Sequence, residues 1–197
     1  MGSIYEKIES LPDRLYNTSV LISKKGEITA VYRKIHLCDI DSPALYNLES
    51  GTIEPGNEVV VTKENGVNIG LSICYDIRFP CLYETLRAKG AEVIFVPAAF
   101  FLHTGKHHWF PLLQARAIEN QVYIAAPAQW GQHPKNRMSY GHSILIDPWG
   151  TVVCCAPEKP CVITGVADLD YLHNIRENMP VIQHRRSDCY LKQHKLL

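Results

Sequence analysis

Gly66-Val67-Asn68-Ile69-Gly70-Leu71-Ser72-Ile73-Cys74-Tyr75-Asp76-Ile77-Arg78-Phe79-Pro80 carries a buried strand into the start of a helix, with a cysteine at the corner. A thiol at a strand-to-helix corner has its sulfur exposed and backbone N–H groups nearby. Those groups can hold an oxyanion, and the partial positive charge of the helix start favours the thiolate. The stretch predicts an enzyme that attacks a carbonyl-type carbon through sulfur, and it predicts a strand–helix unit of an α/β domain.

The flanking sequence extends that pattern. Upstream, Glu58–Thr62 and Val67–Ile73 surround Glu64-Asn65-Gly66, and Asn-Gly is a strong hairpin signal. Further upstream, Thr18–Ser23 and Glu27–Arg33 surround Lys24-Lys25-Gly26, a second hairpin. Downstream, Pro80–Lys89 reads as a helix with proline at its start, Arg87 and Lys89 in its last turn and Gly90 as C-cap. Ala91–Ala99 and Val122–Ala128 are continuous apolar runs, as in strands buried on both faces. Between them His108–Gln121 reads as a helix with Leu112, Leu113, Ala115 and Ile118 on its apolar face. Asp147-Pro148-Trp149-Gly150 suits a type I-like turn between Ser143–Ile146 and Thr151–Cys155. Val162–Asp168 reads as a last strand, Asp170–Asn178 as a short helix and the polar tail as extended. Mixed strands with strand–helix–strand units predict an α/β layered domain.

The 197 residues suit one domain with a sizeable core. Twenty acidic and twenty basic side chains give no electrostatic case for nucleic acid or an anionic membrane as partner. Near-neutral charge also does little to oppose self-association. The seven cysteines are odd in number and form no CxxC pair. Residues 1–10 lack a charged start followed by an apolar run, and no apolar stretch is long enough to span a bilayer. A reducing, cytoplasmic compartment fits, with Cys154, Cys155 and Cys161 as inert strand or hairpin residues; a longer N-terminus would allow a mitochondrial form.

Lys34 closes the strand Glu27–Arg33. By itself it is a solvated strand-end lysine. Beside a reactive sulfur, its ammonium would stabilise both a thiolate and the oxyanion of a tetrahedral intermediate. Glu49, in Asn47-Leu48-Glu49-Ser50-Gly51, is either a surface loop glutamate or a carboxylate that orients lysine or substrate. His103, His107 and His108 have H-x3-H-H spacing without the glutamate of HExxH, so no metal is expected. His108-Trp109 reads as a pocket wall at a helix start, and His142 as either the partner of a Cys–His pair or a half-buried histidine opening a strand. Arg116 and Glu119 are spaced for an ion pair, and need buried partners if their helix packs in a core.

Tyr32-Arg33-Lys34-Ile35-His36-Leu37, Ile73-Cys74-Tyr75-Asp76-Ile77-Arg78-Phe79-Pro80, His108-Trp109 with Ala115-Arg116-Ala117-Ile118-Glu119-Asn120, and Gly141-His142-Ser143 with Asp147-Pro148-Trp149-Gly150 together resemble the nitrilase (carbon–nitrogen hydrolase) superfamily. The resemblance runs from about residue 14 to the C-terminus, in the right order. His36-Leu37-Cys38-Asp39, Ser139-Tyr140-Gly141-His142-Ser143 and Pro180-Val181-Ile182-Gln183-His184-Arg185-Arg186 are most similar to its Nit branch, the deaminated-glutathione amidases, found in some animals fused to a Fhit nucleotide-hydrolase domain. The omega-amidase branch matches them less closely. The resemblance implies an αββα sandwich of two mixed sheets, a homo-oligomer formed through helices, no cofactor and a small amide as substrate. Carried over by position, Cys74 is the nucleophile, Lys34 the cationic stabiliser, Glu49 a supporting carboxylate and the Tyr75 N–H an oxyanion donor.

The family's general-base glutamate ends a strand that precedes the region resembling Tyr16–Ser23. Here only about fifteen residues precede that region, and neither Glu6 nor Glu9 matches the strand-end pattern. The resemblance therefore implies a single domain over 1–197 that is incomplete at its N-terminus and lacks its first strands and helices. Loss of one positioned acid–base group costs roughly 10² to 10⁴ in rate. That leaves open an alternative, a catalytically impaired short form acting as a non-catalytic partner or regulatory subunit. A Cys74/His142 hydrolase of another kind is a further alternative, and requires those two side chains to meet.

Overall fold

The computed structural model describes residues 2–42, 45–134 and 137–190. Strands β1 (Ser3–Lys7), β2 (Leu15–Ile22) and β3 (Ile28–Arg33) form an antiparallel sheet in that order. Strands β4 (Asp39–Ser42) and β5 (Leu45–Leu48) form a separate hairpin. The central sheet has six strands in the order β13-β12-β9-β8-β7-β6. These are β6 (Val61–Glu64), β7 (Val67–Leu71), β8 (Val93–Phe95), β9 (Tyr123–Ala126), β12 (Ile144–Ile146) and β13 (Val152–Cys155). Its middle pairs, β7–β8 and β8–β9, are parallel, and its outer pairs antiparallel. Helix α1 (Pro80–Ala88) joins β7 to β8 and α2 (Leu102–Asn120) joins β8 to β9, as parallel strands require. Strands β10 (Trp130–His133) and β11 (Arg137–Tyr140) form a hairpin, followed after β13 by α3 (Leu169–Asn178) and the short α4 (Ser187–Tyr190).

Side-chain alternation assigns a layer to each face of the central sheet. Ile94, Ile124, Ile144 and Ile146 point to one side, where they pack against Leu86 of α1 and Trp109, Leu113 and Ala117 of α2. Full burial of each such side chain contributes roughly 1.5–3 kcal/mol. Gly70 on β7 faces α1, and a Cβ there would lie 3.1 Å from Ile94 and 3.3 Å from Leu86, so the close approach of helix to sheet depends on glycine. On the opposite side, Leu71 and Ile73 pack against Tyr32 of β3, so the three-stranded sheet stacks on the six-stranded one. Beyond it Leu172 of α3 covers Val93 and Tyr123. The result is a helix–sheet–sheet sandwich of the α/β class with mixed sheets. In the three-stranded sheet Ser19 pairs with Tyr32, and both are buried; Ile4, Ile22 and Val31 have the opposite parity and are exposed.

Both hairpins expected upstream form, and the Asn65-Gly66 turn has positive φ at both residues (50° and 85°), as a two-residue turn of this hand requires. Helix α2 begins at Leu102 rather than His108. Gly105, inside the helix, is a packing residue: a Cβ there would lie 2.5 Å from Tyr140. The buried face of α2 is Trp109, Leu113, Arg116, Ala117 and Asn120, whereas Ile118 is exposed. Arg116 finds one buried partner, donating from Nε to the Ile77 carbonyl (2.9 Å), and from Nη1 it reaches the exposed Glu119 (2.9 Å). Val162–Asp168 forms no strand; Gly165 crosses against the side chains of Leu145, Cys154 and Val153, leaving Val162 and Val166 exposed. The strand β1 and the hairpins β4–β5 and β10–β11 were not legible as such in the sequence. In the tail, residues 191–197 lie outside the described residues. No helix among the described residues is long and apolar enough to cross a membrane.

Candidate active site

The apolar run of β7 ends at a tight 3₁₀ turn, Cys74–Arg78, that leads into α1. Cys74 sits in the left-handed region at φ 48°. Such a conformation costs a non-glycine residue of order 1–3 kcal/mol and persists only where its surroundings over-determine it. The Cys74 N–H donates to the Pro97 carbonyl (3.0 Å), in the irregular continuation of β8. Asp76, fully buried, fixes the turn from below. Its Oδ2 accepts from the Ile73 N–H (2.8 Å) and the Tyr32 hydroxyl (2.6 Å), and its Oδ1 accepts from the His36 N–H (3.0 Å). The His36 Nδ1 lies 2.8 Å from the same Oδ1, and its ring stacks on Phe79 at 3.6 Å. One carboxylate thereby ties the end of β3 to the turn that follows β7. Burial pushes the Tyr32 phenol far up, so its hydroxyl stays a proton donor to Asp76.

The latch brings Lys34, one residue past β3, to the same cavity as Cys74. That cavity, of about 620 Å³, is also lined by Glu49, Cys38, Phe101 and Arg137. Lys34 is 3% exposed, and its Nζ donates to Glu49 Oε2 at 2.5 Å. Glu49 also accepts from the Cys38 N–H (2.7 Å) and from Asn17 Nδ2 (3.1 Å). A buried ammonium without a counter-charge is costly, and breaking such a pair by deleting one partner costs about 3–5 kcal/mol. Glu49 is thus what keeps a cation in place next to the sulfur.

Burial pulls the Lys34 ammonium down, but the charges of Cys74 and Glu49 outweigh it and its pKa lies above the ordinary lysine value. Burial pushes the Cys74 thiol up; Lys34 and the Ala99 N–H pull it back without offsetting the whole effect. The helix-start expectation of a depressed thiol is therefore corrected. The turn at Cys74 is one short 3₁₀ segment with little dipole, and desolvation exceeds it. The second thiol of the cavity, Cys38, is pushed up to about 11 by burial and then by the charge of Cys74. Chemically, the site offers a nucleophile, a fixed cation beside it and main-chain N–H groups around an open cavity.

Cys74, Lys34 and Glu49, distant in sequence, are brought together as expected. Tyr75 is only partly so: its ring packs edge-on to Phe79 at 5.6 Å, outside the cavity lining, and only its main-chain N–H directly follows the thiol. His142 lines a different, smaller cavity with Trp130 and Ser143, and its Nδ1 faces the Tyr140 carbonyl at 3.0 Å, so the structure gives Cys74 no histidine partner there. His108 and Trp109 are not a pocket wall. Trp109 is buried in the helix–sheet core, donating from Nε1 to the His142 carbonyl (2.9 Å), and His108 is exposed beside Arg78. Among the described residues no group of three or more His, Cys, Asp or Glu side chains is placed to hold a metal. Sequence reasoning missed Asp76, Asn17 and Arg137. Asp76 left one signal, an acidic residue where a buried strand meets a helix; the other two left none.

The carbon-nitrogen hydrolase family pattern matches residues 1–177. The chain is 47% identical to the deaminated glutathione amidase of Dictyostelium discoideum over 194 residues, which covers 96% of this chain and 67% of that protein. It is 47% identical to the deaminated glutathione amidase of Homo sapiens over 180 residues, 90% of this chain and 55% of that protein. The crystal structure of the C. elegans NitFhit protein matches with a TM-score of 0.87 at 41% identity, over 96% of this chain and 47% of that one. The chain spans about half to two thirds of the length of these relatives.

Proposed function

The chain belongs to the carbon–nitrogen hydrolase family, in its Nit branch, and from that premise we propose that its cavity hydrolyses a small amide, R–CO–NHR′, to acid and amine through a thioester on Cys74. The observation that carries the reading is that Cys74 and the Lys34–Glu49 pair, from separate strand ends, line one cavity. In the proposed sequence the sulfur adds to the amide carbon and the carbonyl becomes an oxyanion. The Lys34 ammonium and the Tyr75 N–H are the donors that stabilise it. The C–N bond then breaks, and the nitrogen leaves as the free amine with the proton that the thiol gave up. Water adds to the thioester, releasing the acid and restoring the thiol. Glu49 keeps Lys34 charged and aimed. The relatives named deaminated glutathione amidase make deaminated glutathione, whose amide nitrogen belongs to cysteinylglycine, the first substrate to try.

A second reading has one observation in its favour. Glu49, the single carboxylate among the described lining residues, already accepts from Lys34, Cys38 and Asn17, which leaves it poorly placed to carry protons. On that reading the chain is a non-catalytic partner or regulatory subunit. Release of cysteinylglycine from deaminated glutathione separates the two. The first reading expects turnover that Cys74→Ala abolishes and that Glu49→Gln lowers by roughly 10² or more. The second expects Cys74 to be acylated, by mass spectrometry of the intact chain, without cysteinylglycine in excess of one equivalent. Turnover that survives Cys74→Ala would refute the nucleophile assignment.

A further inference from the structure

The end of the sheet opposite Cys74 gathers a second set of charges. Cys74 meets the chain just after β8, at Pro97, whereas Ala91 lies just before β8. Near Ala91 the last turns of α1 and α3 and the segment after α3 come together. Arg87 stands in the last turn of α1 and Arg176 in that of α3. Arg176 is fixed across the strand end, donating from Nη2 to the Ala91 carbonyl (2.8 Å) and from Nε to the Gln121 carbonyl (2.9 Å). Arg185, in the segment after α3, reaches α1 with its Nη1 3.5 Å from Oε2 of Glu84, a residue one helical turn before Arg87.

Arg87 has no such partner. Its Nε is buried and makes no hydrogen bond among the described residues, and no carboxylate there forms an ion pair with it. Glu84 faces Arg185. Glu92, the buried carboxylate of this end, is already occupied: its Oε1 lies 2.8 Å from His173 Nε2, and its Oε2 accepts from the Asn68 N–H (2.8 Å) and Nδ2 (3.1 Å). Nor is Arg87 needed as a helix cap. The carbonyls of Thr85, Leu86 and Arg87 accept from the main-chain N–H groups of Lys89, Ala91 and Gly90. Burial and then the charge of Arg185 hold Arg87 below the ordinary arginine value, and burial and then the charge of Arg87 bring Arg176 down to about 10. Three cations therefore face two carboxylates, and the cation in the middle is the one without an acceptor. Buried donors left without a partner are rare in native proteins, and an unseen ion is one of the few occupants that accounts for them.

We infer that Arg87, with Arg176 and Arg185 beside it, holds a tetrahedral oxyanion, phosphate or a phosphomonoester, at a site apart from the Cys74 cavity. A guanidinium presents N–H donors in a planar fork that matches phosphate oxygens in pairs. Arg176 is preorganised by its two carbonyl bonds, neither of which neutralises its charge. The anion supplies the negative charge that Glu84 and Glu92 leave short, and gives Arg87 Nε its acceptor. Arg185 belongs to the segment after α3 and Arg87 to α1, so a bound anion ties that segment to the sandwich. An anion that binds the folded chain and not the unfolded one raises stability with its concentration.

The test is calorimetric titration of inorganic phosphate, and separately of phenyl phosphate, into the full chain in chloride buffer at constant ionic strength. Saturable binding is expected, and the tighter ligand tells free phosphate from a phosphomonoester. With that ligand at ten times its Kd, the midpoint of thermal unfolding should rise by about 3–6 °C. Arg87→Met should abolish both the binding heat and the rise, and Arg87→Lys should keep part of each. The general stabilisation that phosphate gives by exclusion acts on chain and variant alike. In phosphate-free buffer Arg87→Met should match or exceed the unsubstituted chain, since it removes a charge that has no partner there. An arginine that served packing alone would behave in the opposite way, with Arg87→Met unfolding earlier in every buffer and phosphate changing nothing. That outcome, no binding of either ligand, or an equal rise in Arg87→Met would overturn the site. If Arg87→Met does not fold, Arg185→Gln reads the same site from the other segment and should weaken binding by about 10-fold. Unchanged affinity in that variant would overturn the site as well.

Discussion

Cys74 and Asp76 divide the work of one short turn. The cysteine takes a left-handed backbone that disfavours it, and the buried aspartate two residues on supplies the bonds that hold it there. The positions of Cys74 and Lys34 were legible because each ends an apolar run, and strand ends are where an α/β sheet presents side chains to a cleft. The reactivity of Cys74 was not legible, since the protonation state of a thiol depends on desolvation, which appears only when the chain is folded. With burial as the largest effect, the thiol should titrate above the ordinary cysteine range of about 8.5. Labelling of Cys74 by iodoacetamide, followed by mass spectrometry from pH 6 to 10, should rise with pH and not level off below that value. Lys34 stays protonated across this window, and its charge is the largest effect pulling the thiol down. Lys34→Met should therefore move the midpoint further up. A midpoint below the ordinary value, or one that Lys34→Met leaves in place, contradicts this account.

Elements with local turn chemistry were read correctly, and those fixed by distant contacts were not. The Asn65-Gly66 hairpin and α1, with Pro80 at its start and Gly90 behind it, carry their signals within a few residues. The early start of α2 depends on Tyr140 tolerating only a glycine beside it, and the failure of Val162–Asp168 to pair depends on where it crosses β13. Strand β1 is of the second kind. Among the described residues it is an edge strand with one neighbour, and Glu6 attaches it sideways by accepting from Thr18 Oγ1 (2.6 Å) and from Arg33 Nε (2.9 Å) and Nη2 (2.6 Å). The Arg33 bond holds the Glu6 carboxyl below its ordinary value of 4.5. A carboxyl depressed in the folded state stabilises it fully above the unfolded pKa, and the contribution is lost as pH falls through the folded pKa. Amide exchange across Ser3–Lys7, corrected for intrinsic rates, should accordingly lose protection on acidification below that ordinary value while β7 and β8 keep theirs. Glu6→Gln should leave β1 weakly protected already at neutral pH. Equal loss in all three strands would mean that acid unfolds the molecule globally rather than at this edge.

At the scale of the whole molecule, zero formal net charge and a pI near 7.1 remove the repulsion that keeps proteins apart at neutral pH. What then decides association is which apolar surface stands uncovered. The sequence reading placed self-association on the helices, where Ile118 of α2 (47% exposed) and the nearby Trp149 (57%) stand out. The outer face of the three-stranded sheet presents more: Ile4 (61% exposed), Ile22 (56%) and Val31 (44%) project from three adjacent strands, beside the edge of β1 that no strand among the described residues pairs. An exposed apolar face next to an unpaired strand edge is a strong template for a second copy. Sedimentation velocity over a range of concentrations should therefore show self-association at pH 7 that weakens at pH 9, where the chain gains negative charge. The pair Ile22→Lys and Val31→Lys should shift the population to monomer, since neither side chain is buried in the fold and charge repulsion would then act between copies. Ile118→Lys should have little effect. Dissociation by Ile118→Lys alone, with the lysine pair on the sheet leaving the association intact, would return the interface to the helices.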